Sequence, residues 1–191
     1  MMRKLAGLTL AAFAFTAPAP AQDSVLEPDG YRTDNYRAPV PATLAGARVL
    51  TTAEAEAVWR AGTAVFVDVL PRAPKPPNLP AGTIWRDKPR LNIPGSVWLP
   101  DTGYGTLAAA TEDYLRRGLV RASGNSNAKL LVIYCQTDCW MSWNAAKRVL
   151  SWGYSNVAWY PLGTDGWEAA NLPMAESQPE PRPDEETASP R

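Results

Sequence analysis

Leu130-Leu131-Val132-Ile133-Tyr134-Cys135-Gln136-Thr137-Asp138-Cys139-Trp140-Met141, followed by Ser142-Trp143-Asn144-Ala145-Ala146-Lys147-Arg148-Val149-Leu150, joins an apolar run, a polar turn bounded by two cysteines, and a helix-forming run. Five consecutive apolar residues suit a strand covered on both faces. The run from Ser142 predicts a helix ending near Gly153. In open α/β sheets ligands gather at the carboxyl ends of the strands, so Cys135 stands where such a fold places its chemistry. A helix starting just beyond it offers unpaired N–H groups and partial positive charge, both of which favour thiolate over thiol.

The neighbouring sequence extends the pattern. Thr51 and Thr52 precede the helix formers Ala53 to Trp59, with Gly62 suited to the far end. Ala64 to Val69 reads as a short buried strand, Ser96 to Leu99 as another, and Thr106 to Leu119 as a helix offering Leu107, Tyr114, Leu115 and Leu119 to a core. Strands alternating with helices indicate an α/β fold, a small parallel sheet flanked by helices. Residues 47–174 are a suitable length for one domain with one core. Between Pro71 and Pro94 seven prolines exclude a helix or a central strand. A long irregular loop is expected there, on the same side as Cys135, and it is a candidate lid.

The two ends read differently. Arg3 and Lys4 lead into an apolar run from Leu5 to Ala17 and then Ala19-Pro20-Ala21, the pattern of a cleavable secretory signal over residues 1–21. The run is shorter than the roughly 20 residues a membrane span needs. Export, a periplasmic location and a mature chain beginning near Gln22 are the expectation. Residues 22–46 predict an extended leader lying on the domain, with islands at Val25, Tyr31 and Tyr36. Residues 175–191, with four prolines and the charge run Asp184-Glu185-Glu186, predict a disordered tail.

The chain has 19 basic and 19 acidic residues, and losing Arg3 and Lys4 would leave a charge near −2. Nothing in that balance attracts nucleic acid. With no histidine anywhere, the commonest general base and metal ligand is missing. Two cysteines cannot close a tetrahedral zinc site by themselves, and no metal site is expected, although two thiolates could hold a soft ion such as Cu(I). An oxidising compartment would let the pair form a disulfide.

Several fragments, in order, resemble the rhodanese family: Val67-Asp68-Val69, Asn92-Ile93-Pro94-Gly95-Ser96, Tyr134-Cys135, Ala145-Ala146 with Leu150, and Leu162-Gly163 with Trp167 and Leu172-Pro173. More narrowly, YCQTDCWMSWNAAKR and GTDGWEAANLP are similar to a rhodanese-related group named for a CXXCW motif and associated with catabolism dependent on pyrroloquinoline quinone. Here three residues separate the cysteines. The resemblance implies a rhodanese-like fold and an association with periplasmic quinoprotein alcohol oxidation. A quinoprotein dehydrogenase or a cytochrome would be the partner, and no cofactor need be bound by this chain. It also marks two departures. Trp140 or Met141 stands where the family's loop carries an arginine, and Asn92 replaces a histidine. With Asp138 as the nearest loop charge, standard thiosulfate sulfurtransferase or phosphatase activity is disfavoured.

The candidate catalytic residues are therefore Cys135, as nucleophile, and Cys139, either resolving a disulfide or persulfide or locking the loop as a structural bridge. Gln136, Thr137, Asp138, Trp140, Met141 and Ser142 are the candidate substrate- or partner-binding residues. Trp140, if exposed, offers a docking surface. Asp68 is expected to tie the loop at its strand end with Arg72 as a possible partner, and Lys147 and Arg148 to form an exposed helix face. Two readings stay open: a thiol or sulfane-sulfur enzyme, and an accessory protein that docks a quinoprotein.

Overall fold

In the computed structural model, residues 25–74, 76–84 and 89–182 are described. The expected signal at 1–21 and the last part of the tail, 183–191, lie outside the described residues. The elements in chain order are β1 (Arg48–Val49), α1 (Thr52–Ala61), β2 (Ala64–Asp68), β3 (Arg90–Asn92), β4 (Val97–Trp98), α2 (Ala109–Ser123), β5 (Leu130–Tyr134), α3 (Trp140–Ser151), β6 (Val157–Tyr160), α4 (Gly163–Ala169) and β7 (Ala175–Ser177). Five strands form one sheet in the order β1-β6-β5-β2-β4, every neighbouring pair parallel. This is the α/β domain expected from the alternation of strands and helices.

The apolar run of β5 lies at the centre of the sheet and serves two cores, as its period of two requires. Leu131 and Ile133 face the layer built by α2 and α3, together with Leu115, Leu119, Trp143, Val149 and Trp159. Val132 and Tyr134 face the other layer with Ala55 of α1, Phe66, Ala158 and Trp167 of α4. The ends of α1 follow its sequence: Thr51 and Glu54 form a reciprocal capping box, and Gly62 closes the helix in the left-handed conformation at φ 63°.

Three local expectations are corrected. Helix α2 starts at Ala109, not Thr106: Ala108 is its extended N-cap, and the carbonyls of Tyr104 and Gly105 before it accept hydrogen bonds from Arg148. The proline-rich loop contains a strand, β3, which fits between Pro89 and Pro94 because it is short and at an edge. The tail is committed to the domain as far as Arg182. Strand β7 pairs antiparallel with β3, Glu180 N–H donates to Trp98 O at the sheet edge, and Tyr114 Oη donates to Glu180 O. Strand β6, which the sequence reading did not single out, is the fully buried Val157-Ala158-Trp159-Tyr160. Among the described residues no helix is long and apolar enough to cross a membrane.

Gly118 brings α2 against Leu99, the residue that follows β4. A Cβ there would lie 2.4 Å from Leu99 Cδ2, and Leu99 is fully buried. Gly118→Ala should therefore destabilise the fold by about 1–3 kcal/mol through overpacking, despite a gain of about 1 kcal/mol in helix propensity. Urea denaturation would measure the balance, and a more stable variant would refute close packing at this contact.

Candidate functional site

The loop begins at a buried ionic tie. Asp68, at the carboxyl end of β2, has no exposed side-chain surface, and its Oδ2 accepts from Arg90 Nε at 2.8 Å while Oδ1 accepts from Leu70 N–H at 2.9 Å. Arg90 Nη2 also donates to Thr164 Oγ1 at 3.1 Å and to Cys135 O at 3.3 Å. The Cys135 carbonyl is further held by Thr164 N–H at 3.1 Å and by its hydroxyl at 3.2 Å. Asp68 ties the loop as expected, but the described tie runs through Arg90, from a different part of the proline-rich segment than Arg72. Sequence reasoning missed Arg90, whose only signal is its place two residues before Asn92. Gly163, at φ 49°, allows α4 to start here, since a Cβ would lie 2.5 Å from Cys135 O.

Cys135 and Cys139 form a disulfide with their Cα atoms 6.5 Å apart. The chain between them turns through Asp138 in the left-handed region at φ 52°, which a short polar side chain tolerates. Helix α3 starts earlier than expected, at Trp140, so Cys139 and not Cys135 occupies the N-cap position. Cys135 is 0 % exposed and Cys139 2 %.

The loop N–H groups have partners within the chain at two positions. Trp140 N–H donates to Tyr36 O at 2.9 Å, and Thr137 N–H to Asp165 Oδ2 at 3.2 Å. The leader is the reason for the first. It runs beside the loop as a strand would: Ala38 N–H donates to Asp138 O, Arg37 is bridged to Cys139, and Arg37 Nη1 donates to Thr137 O at 2.7 Å. The loop arginine missing from the sequence is thus not restored, because Arg37 binds the loop's backbone from outside and Arg90 holds it from beneath.

The leader also covers α3, and this reassigns several candidates. Trp140 is 2 % exposed, its Nε1 donates to Pro39 O, and its ring packs edge-on against Trp143. It is therefore covered by this chain and presents no docking surface. Ser142 is buried, donating to Cys139 O and accepting from Trp159 Nε1, so it secures the helix start. Lys147 and Arg148 are not an exposed face: Lys147 Nζ donates to Pro28 O, and Arg148 is buried against Tyr31 and the carbonyls of Tyr104 and Gly105. Asn144, unremarked in the sequence, both accepts from Arg32 N–H and donates to Arg32 O.

A cleft of about 350 Å³ remains over the bridge. Tyr36 and Arg37 of the leader, Leu70 to Pro74, and Gln136, Cys139 and Met141 line it. The start of the candidate lid segment therefore does stand beside the cysteines. Gln136 and Met141 reach this space, while Asp138 is exposed on the outer turn and Thr137 is engaged with α4 through its hydroxyl, which donates to Leu162 O at 3.0 Å. Asn92 is buried, and its amide nitrogen has no hydrogen-bond partner among the described residues.

Burial pushes the Asp68 carboxyl up to about 6, the Arg90 guanidinium pulling the other way less strongly. A carboxyl whose folded-state value is raised binds its proton more tightly in the fold. Its contribution is present in full below the unfolded value of about 4 and is lost as pH rises through 6. Arg90→Met should cost about 3 kcal/mol at pH 7, where Asp68 would be a buried unpaired carboxylate, and distinctly less at pH 5, where it takes a proton. Denaturation of the variant at the two pH values checks this, and an equal loss at both would show that the pair does not hold the loop.

The rhodanese-like domain model matches residues 86–170. No curated protein matches the chain. Among solved structures, a thiosulfate sulfurtransferase from Pseudomonas aeruginosa aligns at 18 % identity over 70 % of this chain and 21 % of its own, with TM-score 0.47. The chain thus spans about a fifth of that protein's length. A polysulfide-sulfur transferase homodimer from Wolinella succinogenes aligns at 17 % identity over 69 % of this chain and 80 % of its own, with TM-score 0.44. An uncharacterized protein from Saccharomyces cerevisiae aligns at 20 % identity over 65 % and 92 %, with TM-score 0.39. The segment that is similar to the rhodanese-like domain model runs from before β3 to the end of α4 and includes the cysteine loop at the end of β5.

Proposed function

We propose that this is an exported, periplasmic rhodanese-like protein that works through reversible opening and closing of the Cys135–Cys139 pair. The observation that carries this reading is the disulfide itself, placed at the carboxyl edge of the sheet beneath a cleft. Opening the bridge takes up two electrons and two protons and gives two thiols, and closing it returns them, which is the chemistry of thiol–disulfide exchange. Transfer of sulfane sulfur from an anionic donor is the weaker form of the proposal. Trp140 N–H and Thr137 N–H already have acceptors, and no cationic side chain projects from the loop itself. The similarity of YCQTDCWMSWNAAKR to the quinone-associated group supports a place beside periplasmic quinoprotein alcohol oxidation, with a dehydrogenase or cytochrome as redox neighbour.

A second reading is favoured by burial. With the two cysteines 0 % and 2 % exposed, the bridge also suits a permanent clamp in an accessory protein that docks such a dehydrogenase without catalysis. Intact-mass analysis of the periplasmic protein under thiol-blocking conditions, before and after a mild dithiol, separates the two. Uptake of two blocking groups after mild dithiol treatment of the folded protein supports the redox reading. A bridge that opens only with unfolding overturns it in favour of the clamp, and one extra reductant-labile sulfur on either cysteine would make sulfane transfer the mechanism.

A further inference from the structure

We propose that Cys139, not Cys135, is the sulfur that exchanges with an external thiol, and that the cleft above it takes a small thiol or disulfide with an apolar body and a carboxylate. This rests on the redox reading and assigns its partner atom and substrate class. Three observations carry it. Cys139 lines the cleft, whereas Cys135 is fully buried and does not. Cys139 is the N-cap of the twelve-residue α3, so a thiolate there faces the positive end of the helix dipole. The carbonyl of Cys135, by contrast, is held by Arg90 and Thr164, which fixes its backbone in place.

The walls set the substrate. Tyr36, Leu70, Pro71, Pro74 and Met141 offer an apolar surface, and a volume of about 350 Å³ is at the small end of ligand pockets. Arg37 stands at the rim, exposed, with Nη1 on Thr137 O and its planar fork able to meet a carboxylate. An incoming thiolate forms a bond to Cys139 Sγ, and the Cys135–Cys139 bond breaks with its electron pair leaving on Cys135. A second thiolate then attacks the external sulfur of the mixed disulfide and releases Cys139 as thiolate. The net change is two thiols oxidised to one disulfide and one protein disulfide reduced to two thiols, with two protons released from the external thiols and taken up by Cys135 and Cys139. Run backwards, the Cys139 thiolate attacks an external disulfide, and Cys135 resolves it.

The test uses the folded full-length mature chain and the aryl disulfide 5,5′-dithiobis(2-nitrobenzoate), which carries both an apolar ring and a carboxylate. Cys135→Ser should react at Cys139 roughly tenfold or more faster than Cys139→Ser reacts at Cys135. Arg37→Gln, placed in the Cys135→Ser background, should lose most of the preference for this probe over the cationic disulfide cystamine. As a check that does not depend on the serine variants folding, wild-type protein reduced by a dithiol and briefly treated with limiting iodoacetamide should carry its label on Cys139. Label first on Cys135, or a faster Cys139→Ser variant, overturns the assignment while leaving redox function intact. Equal reaction with both probes overturns the substrate class. A folded wild-type bridge that no dithiol opens overturns the redox reading itself.

Discussion

The carboxylate of Asp68 sits fully buried at the end of β2, and the site above it is arranged around what neutralises that charge. An isolated buried carboxylate is expensive, so Arg90 must reach it. In reaching it, the same guanidinium meets Cys135 O at the end of β5 and Thr164 at the start of α4. One ion pair thus joins β2, β3, β5 and α4, and fixes the first residue of the cysteine loop before the loop turns. The hydrogen bond from Leu70 N–H to the other carboxylate oxygen does the same for the first residues of the proline-rich segment. Both walls of the cleft, the Leu70–Pro74 edge and the Gln136–Met141 edge, leave the sheet from positions this pair holds.

The second constraint is the leader. A helix lying outside a sheet ordinarily presents one polar face to water, yet α3 is buried at Trp140, Trp143, Asn144 and Arg148 alike. Residues 28–43 supply the cover, and the bonds that hold them are polar groups of α3 reaching leader carbonyls: Trp140 to Pro39, Trp143 to Thr43, Asn144 to Arg32, Lys147 to Pro28. The abundance of tryptophan acquires a physical reason here. Trp59, Trp98 and Trp167 likewise give their indole N–H to carbonyls of irregular segments, at Pro94, Leu70 and Pro173. Each joins a large apolar surface inside the core to a hydrogen bond that pins a stretch of chain without regular pairing.

Much of this was legible where the signal is local. Period-two apolar strands, the capping box at Thr51, the left-handed glycine at Gly62 and the strand-cysteine-helix order define the α/β class and the position of the loop. What was not legible depends on partners distant in sequence. Arg148 looks like a surface residue beside Lys147 until the carbonyls of residues 102–105 and the ring of Tyr31 are brought to it. Trp140 looks like a docking residue until the leader covers it. The tail composition, rich in proline and charge, is unable to build a core, but residues 175–180 need only complete edges that β3 and β4 already offer. The two-residue displacement of helix start, from Ser142 to Trp140, is invisible in a sequence without a capping side chain.

That displacement governs what the loop is able to do. A loop that binds a tetrahedral anion must keep several N–H groups convergent and without intramolecular acceptors. Starting α3 at Trp140 places Trp140 N–H against the leader carbonyl of Tyr36, and the turn at Asp138 directs its own carbonyl to Ala38 N–H, so the segment is paired as an edge strand would be. Thr137 is drawn off the other way, to Asp165 and Leu162. The carboxylate of Asp165 occupies the donor that an anionic substrate would need, and a second negative charge arriving there would meet repulsion. The same distortion brings the Cα atoms of Cys135 and Cys139 to 6.5 Å, within bridging range. The pairing of these loop N–H groups and the closeness of the two cysteines are therefore consequences of one backbone path.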